Sequence, residues 1–86
     1  MNTIKLHKQL LRWLSSTDLE ETMDANLKAL LTEKELEEIA KRLEIVRLLK
    51  EGKTQREVSK QLKVGIATVT RGAKVCKSPI FNKEIK

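Results

Sequence analysis

The chain has 86 residues, a net charge of +6 and a single cysteine. A length of this size predicts one small domain near the lower limit for independent stability, and a homodimer would ease that shortage. Three glycines, one proline and no alternating β-branched runs predict an all-α fold. The apolar runs are too short for a membrane span, and the N-terminus lacks the pattern of a secretory signal. One cysteine fits a reducing cytoplasm.

The positive charge is concentrated in the second half of the chain. Residues 1–52 contain nine Lys/Arg and ten Asp/Glu, a net charge of −1. Residues 53–86 contain nine Lys/Arg and two Asp/Glu, a net charge of +7. This asymmetry predicts that a polyanion docks on the C-terminal part.

The first predicted helix covers residues 3–14. Its apolar face is wider than a surface helix needs, which predicts contact with a partner subunit. The residues on that face are Ile4, Leu6, Leu10, Leu11, Trp13 and Leu14. We therefore expect residues 1–31 to form dimerisation helices.

Three capping-box patterns mark further helix starts: Thr17 with Glu20, Thr32 with Glu35, and Thr54 with Glu57. The second begins a long central helix that runs to about Glu51 and ends at Gly52, within a segment of residues 32–52. The third begins the first helix of a two-helix unit over residues 53–77.

The stretch QREVSKQLKVGIATVTRG, residues 55–72, is typical of a helix-turn-helix. It predicts a helix over residues 55–62, a turn over residues 63–65 and a second helix from Ile66 to about Val75 or Lys77. Lys63 stands where such turns usually have glycine, so we expect strain there that Gly65 relieves. The inward positions are Val58, Ser59, Leu62, Val64, Ala67 and Val69. The outward positions are Gln55, Arg56, Lys60, Thr68, Thr70 and Arg71. A plain helical hairpin with a solvated polar face is the alternative.

Pro79 breaks the helical pattern, and the C-terminal segment of residues 78–86 can form at most two helical turns. The chain is therefore predicted to contain about six helices, the last of them short. A nucleophile–base pair, a metal-ligand cluster and a phosphate-binding glycine loop are all missing from the sequence, so we do not expect an enzyme.

The stretches LTEKELEEIAKRLEIVRLL, GKTQREV and GIATVTRG resemble the tryptophan repressor family from Leu31 to about Lys77. The resemblance implies an intertwined homodimer that binds L-tryptophan as corepressor and then a palindromic double-stranded operator. It also implies roles for individual residues. Arg42 and Arg71 would bracket the indole ring and bind the carboxylate. Thr32 would place its hydroxyl near that carboxylate.

Further ligand positions follow from the same resemblance. Gly72 would let the ligand approach the backbone. Carbonyl groups around Ala29 and Leu31 of the other subunit would receive the ammonium group. Val75 replaces a serine that helps hold the ligand in the family. The turn before Gln55 and the C-terminal segment are also shorter than in the best-known members.

The DNA-contacting positions implied by the resemblance lie in and around the helix-turn-helix. Arg56 is the strongest candidate for a bidentate contact with guanine. The full set is Gln55, Arg56, Gly65, Ile66, Ala67, Thr68, Thr70, Lys74 and Lys77.

Two other functions fit the same residues. A constitutive helix-turn-helix regulator would keep the DNA surface and bind no ligand, or a different one. A helical interaction module would use the basic half of the chain to bind RNA or an acidic protein.

Overall fold

A computed structural model describes residues 2–82, which form five α-helices and a final 3-10 turn. The helices are α1 (Thr3–Leu14), α2 (Glu20–Leu30), α3 (Glu33–Lys50), α4 (Gln55–Leu62) and α5 (Ile66–Cys76), and the 3-10 turn is Pro79–Asn82. The all-α prediction is confirmed, and the short sixth helix is the 3-10 turn. The part of that prediction covering residues 83–86 lies outside the described residues. None of the described helices is both long enough and apolar enough to cross a membrane.

The chain divides into two compact units, one up to Leu36 and one from Glu37 onward. In the first unit, α1 begins at the N-cap Asn2, whose Oδ1 accepts a hydrogen bond of 2.7 Å from the Ile4 N–H. No residue from position 2 to position 36 is fully buried. Ile4 is 66% exposed and Trp13 is 42% exposed. The wide apolar face predicted for α1 is therefore uncovered in a single chain.

The start of α2 differs from the prediction. The helix begins at Glu20, and its N-cap is Leu19, which makes no side-chain capping bond. The Thr17 hydroxyl instead accepts a hydrogen bond of 3.1 Å from the Leu19 N–H. The capping box predicted at Thr17 is wrong because the hydroxyl closes a tighter local turn that competes with the helical cap.

The other two capping boxes are confirmed. At the start of α3, Thr32 Oγ1 accepts from the Glu35 N–H (3.1 Å), and Glu35 Oε1 accepts from the Thr32 N–H (2.8 Å). Thr54 and Glu57 form the same reciprocal pair at the start of α4. Gly52 follows α3 with φ of +97°, a conformation that glycine adopts without steric cost. The predicted end of the long helix at Gly52 is therefore also confirmed.

The core of the second unit forms where α3, α4 and α5 meet. It consists of Ile45 and Leu48 from α3, Val58 from α4 and Val69 from α5, each at most 3% exposed. Leu49, Leu62 and Val64 pack against this cluster. Ala67, which was predicted to face inward, is exposed because it lies in the first turn of α5, and burial in that helix begins at Val69.

The turn between α4 and α5 places Lys63 in the left-handed region, with φ of 55° and ψ of 45°. This confirms that the turn requires positive φ at a position without glycine, at a cost of about 1–2 kcal/mol. Ser59 of α4 stabilises the turn through two hydrogen bonds with Val64. Its Oγ donates to the Val64 carbonyl (2.6 Å), and its carbonyl accepts from the Val64 N–H (3.1 Å). Gly65 has φ of −66°, so the predicted relief of strain at Gly65 is wrong.

Candidate ligand cleft and nucleic-acid interface

A cleft of about 160 Å³ lies between α3 and α5 within the second unit. It is smaller than the pockets of about 300–1,000 Å³ that enclose drug-sized ligands. A small molecule could therefore occupy it with part of its surface still open. The lining residues are Glu38, Lys41, Arg42, Ile45, Thr68 and Arg71.

The structure brings Arg42 of α3 and Arg71 of α5 together at this cleft. Both side chains are exposed, and among residues 2–82 neither forms an ion pair. Arg47 provides a contrast, because it is bound by Glu44 of α3 and by Glu51, which directly follows that helix. The Arg47 guanidinium lowers the pKa of Glu44 by hydrogen bonding to its carboxylate. Arg42 and Arg71 thus remain available for an external carboxylate or aromatic ring.

Three residues of the cleft, Glu38, Lys41 and Ile45, were not assigned to a site from the sequence. Glu38, Lys41, Arg42 and Ile45 follow the i, i+3, i+4, i+7 spacing that places side chains on one helix face. Because Arg42 was already a candidate ligand residue, this spacing indicates that Glu38 and Lys41 lie on the same face of α3. Lys41 pairs with Glu37 at 2.9 Å, and this hydrogen bond lowers the Glu37 pKa.

The remaining predicted ligand residues have other local surroundings. Gly72 is buried, and a Cβ built on it would lie 2.5 Å from Ile45 Cγ2, so its lack of a side chain lets α5 approach α3. Val75 is half-buried and is not among the lining residues of the cleft. In the first unit, Thr32 caps α3, and Ala29 and Leu31 lie at the C-terminal end of α2. Their roles toward a ligand stay predictions.

All nine residues predicted to contact DNA are exposed. They lie within α4 and α5 or at the ends of α5. Gln55 and Arg56 are in the first turn of α4, and Ile66, Ala67 and Thr68 are in the first turn of α5. Residues 55–77 contain six Lys/Arg and one acidic residue, Glu57, which is used in the α4 cap. Thr68 both lines the cleft and belongs to this set of exposed residues. The two candidate sites therefore meet on α5.

The two short helices α4 and α5, joined by a tight turn and exposing a basic face, are typical of helix-turn-helix proteins. Within that class, the chain belongs to the Trp repressor family, because the family model described as "Trp repressor protein" matches residues 5–82. The resemblance noted from the sequence is confirmed. Membership of this family of transcription regulators also confirms the prediction that the chain is not an enzyme.

Individual relatives agree with the family assignment. The chain is 40% identical over 67 residues to a "Trp operon repressor homolog" of Photobacterium profundum. That alignment covers 77% of this chain and 65% of the relative. This chain is also 35% identical over 74 residues to the "Trp operon repressor homolog" of two strains of Xylella fastidiosa. Each of these alignments covers 85% of this chain and 80% of the relative. No solved structure matches the chain.

Proposed function

We propose that the chain is a transcriptional repressor that binds double-stranded DNA in the cytoplasm. The observation that carries the proposal is the exposed α4–α5 face, where all nine predicted contact residues lie on a segment of strong positive charge. Lysine and arginine side chains attract phosphates and release counterions. Small residues at the start of α5 allow that end of the helix to enter the major groove, where base edges can be read.

The proposed binding form is a homodimer on a palindromic operator. Residues 2–31 leave the apolar face of α1 largely exposed, and in the second unit Ile39 and Leu43 of α3 are 48% and 47% exposed. A second copy would bury the part of these side chains that is still exposed, which is about half of Ile39 and Leu43. Each of these two would then contribute about half of the roughly 1.5–3 kcal/mol that a fully exposed side chain gains on burial. Two-fold symmetry would then present two α5 helices to two half-sites about one helical turn of DNA apart.

The proposed corepressor is L-tryptophan, bound in the cleft between α3 and α5. Among residues 2–82, Arg42 and Arg71 form no ion pair, so their guanidinium groups can meet the carboxylate and the indole ring, and Ile45 provides an apolar wall. Glu38 is the acidic residue of the lining and suits the ammonium group. A ligand that contacts both α3 and α5 favours one arrangement of these helices, which is the requirement for gating.

Calorimetric titration with L-tryptophan tests the corepressor directly, whereas fluorescence would be confounded by Trp13. We expect saturable heat near one ligand per chain. Arg42→Ala and Arg71→Ala should each weaken binding by about tenfold or more, because each removes charge-assisted hydrogen bonds. Arg56→Ala is the matched control: it removes an arginine from the DNA face and should leave ligand binding unchanged.

A titration without heat up to millimolar ligand would rule out L-tryptophan as the effector. The second candidate, a constitutive regulator, would then be preferred, and it draws support from the apolar Val75 and from the small volume of the cleft. Such a protein would bind its operator equally well with and without L-tryptophan. An RNA- or protein-binding module would instead show no preference among DNA sequences.

A further inference from the structure

Gln55 and Thr70 join the two helices of the helix-turn-helix on their exposed side. The Thr70 Oγ1 lies 3.0 Å from Gln55 Oε1 and 2.9 Å from the carbonyl oxygen of Ile66. Among residues 2–82, this is the only side-chain-to-side-chain hydrogen bond between different helices. It links the first residue of α4 to the middle of α5.

The hydrogens available at this contact determine how the Gln55 amide is turned. A hydroxyl has one hydrogen, so Thr70 cannot donate to two oxygens at once. Threonine in a helix commonly donates to the carbonyl four residues earlier, which here is that of Ile66. The Thr70 oxygen then faces Gln55 as an acceptor. A half-turn about the last side-chain bond exchanges Gln55 Oε1 and Nε2, so that Nε2–H donates to Thr70 and each atom has a suitable partner.

We infer that Thr70 is a positioning residue that holds the Gln55 carboxamide ready to read adenine in the major groove. The amide nitrogen has two hydrogens, and only one is used by Thr70. The other hydrogen and Oε1 remain side by side on an exposed side chain. They complement adenine, in which N7 accepts and the N6 amino group donates. This inference rests on the proposed DNA-binding function and specifies one base that the protein reads.

Holding the amide in advance also favours binding. A free glutamine loses rotamer freedom when it binds a base, and that cost opposes association. Here the contact with Thr70 has already restricted the side chain before DNA arrives. The loss of the Thr70 oxygen should therefore affect recognition by Gln55 even though Thr70 itself need not touch the base.

The test begins with selection from a pool of randomised DNA duplexes, using the full chain with and without L-tryptophan. We expect each enriched half-site to contain an adenine that Gln55→Ala no longer selects, while the other positions stay unchanged. Replacing that adenine by 7-deazaadenine removes N7, and replacing it by purine removes the amino group. Each replacement should weaken wild-type binding by about tenfold. Neither base replacement should change the DNA affinity of Gln55→Ala.

Variants of Thr70 separate positioning from a general effect on binding. Thr70→Val keeps the shape but removes the hydroxyl, so it should lose the same adenine preference as Gln55→Ala. Thr70→Ser retains the hydroxyl and should retain the preference. The double variant Gln55→Ala/Thr70→Val should lose no more adenine preference than Gln55→Ala alone, because both changes remove the same adenine contact. Thermal unfolding of each variant checks that the fold is intact.

Two results would overturn the inference while leaving the proposed function in place. One is an adenine preference that survives in Thr70→Val. The other is a Gln55→Ala variant that weakens binding to every duplex equally and lowers its salt dependence, which would indicate a phosphate contact. If no sequence is enriched under either condition, the proposed function itself fails.

Discussion

Gly72 allows the backbone of α5 to pack directly against Ile45 of α3. The Cβ of any other residue there would lie 2.5 Å from Ile45 Cγ2 and 3.3 Å from Ile45 Cβ. Ile45 is 1% exposed, so it has little room to move away. The same isoleucine also lines the cleft with Arg42 and Arg71. One residue therefore belongs both to the core and to the wall of the candidate ligand site.

Gly72→Ala should lower the free energy of unfolding by about 1–3 kcal/mol, because the added methyl group overpacks a closed contact. Gly65→Ala is the matched control. Its Cβ would meet nothing within 4 Å, and its backbone has an ordinary φ of −66°. Gly65 is the N-cap of α5, where alanine is less favourable than glycine, so the control should lose only about 0.5–1 kcal/mol, less than Gly72→Ala. Urea denaturation measures both values.

A double variant identifies Ile45 as the partner in this contact. Ile45→Ala removes Cγ2 and is destabilising alone, because it leaves a cavity. Combined with Gly72→Ala, its cost should be smaller than the sum of the two single changes, because the new methyl group occupies part of that space. Strictly additive changes in the free energy of unfolding would mean that the Gly72→Ala methyl group and Ile45 are not in steric conflict.

At the scale of helices, the sequence predicted most boundaries because capping and turn residues act locally. Thr32, Thr54 and Gly52 mark their helix ends as expected. Thr17 fails because a hydroxyl can bond to the N–H two residues later as easily as three, and the capping pattern does not distinguish these choices. The strain at Lys63 was predictable, but the hydrogen bonds from Ser59 that hold the turn were not, because they depend on the three-dimensional path of the turn.

The buried face of α3 was harder to predict than its ends. Leu36, Ile39 and Leu43 share a stripe with Val46 and Leu49, yet burial is confined to Ile45, Val46 and Leu48. Apolar residues occur around much of this helix, so periodicity alone could not decide which of them α4 and α5 would cover. Helical spacing from Arg42 could place Glu38 and Lys41 on the same face of α3, but the extent of the cleft depends on the position of α5, which the spacing does not give.

The Glu35 cap of α3 makes stability depend on pH. The pKa of Glu35 is lowered from its ordinary value of 4.5 by the Thr32 backbone N–H and then by its hydroxyl, which both favour the carboxylate. The unfolded chain consequently binds this proton at a higher pH than the folded chain. The stabilisation is complete above about pH 4.5 and is lost as the pH falls through the lower folded-state value.

Unfolding measured by urea at a series of pH values tests this cap. We expect the stability of the wild-type protein to fall as the pH decreases below about 4.5. In Glu35→Gln, whose amide oxygen still accepts the N–H bond, the fall should be shallower. Glu37 and Glu44, which Lys41 and Arg47 hold in their charged forms, contribute equally to both proteins. Parallel curves would show that the cap does not couple to pH.

For the whole molecule, composition and resemblance predicted an all-α fold with its positive charge in the DNA-facing half. The residues that pack against α1 and α2 could not be predicted from the sequence of one chain. Nothing from position 2 to position 36 is fully buried, so the packing of this unit depends on what covers it. A 12-residue helix such as α1 is only marginally stable without tertiary contacts. The proposed homodimer supplies such contacts.

Leu10→Glu should convert the proposed dimer to a monomer, because it places a charge on the apolar face of α1. Gln9→Glu adds the same charge beside it on an exposed polar position and should leave the dimer intact. Analytical ultracentrifugation distinguishes the two species. The melting temperature of the wild-type protein should also rise with chain concentration. A wild-type protein that sediments as a monomer at all concentrations would contradict the proposed dimer.

In the proposed homodimer, the exposed leucines of α1 would also affect how steeply a promoter responds to the abundance of this chain. If only paired chains read the operator, and if most chains are unpaired, halving the number of chains in a cell reduces the paired form about fourfold, by mass action. Operator occupancy then depends on the square of chain abundance. Dilution by cell growth would release a promoter over a narrower range of abundance than for a regulator that acts as a single chain.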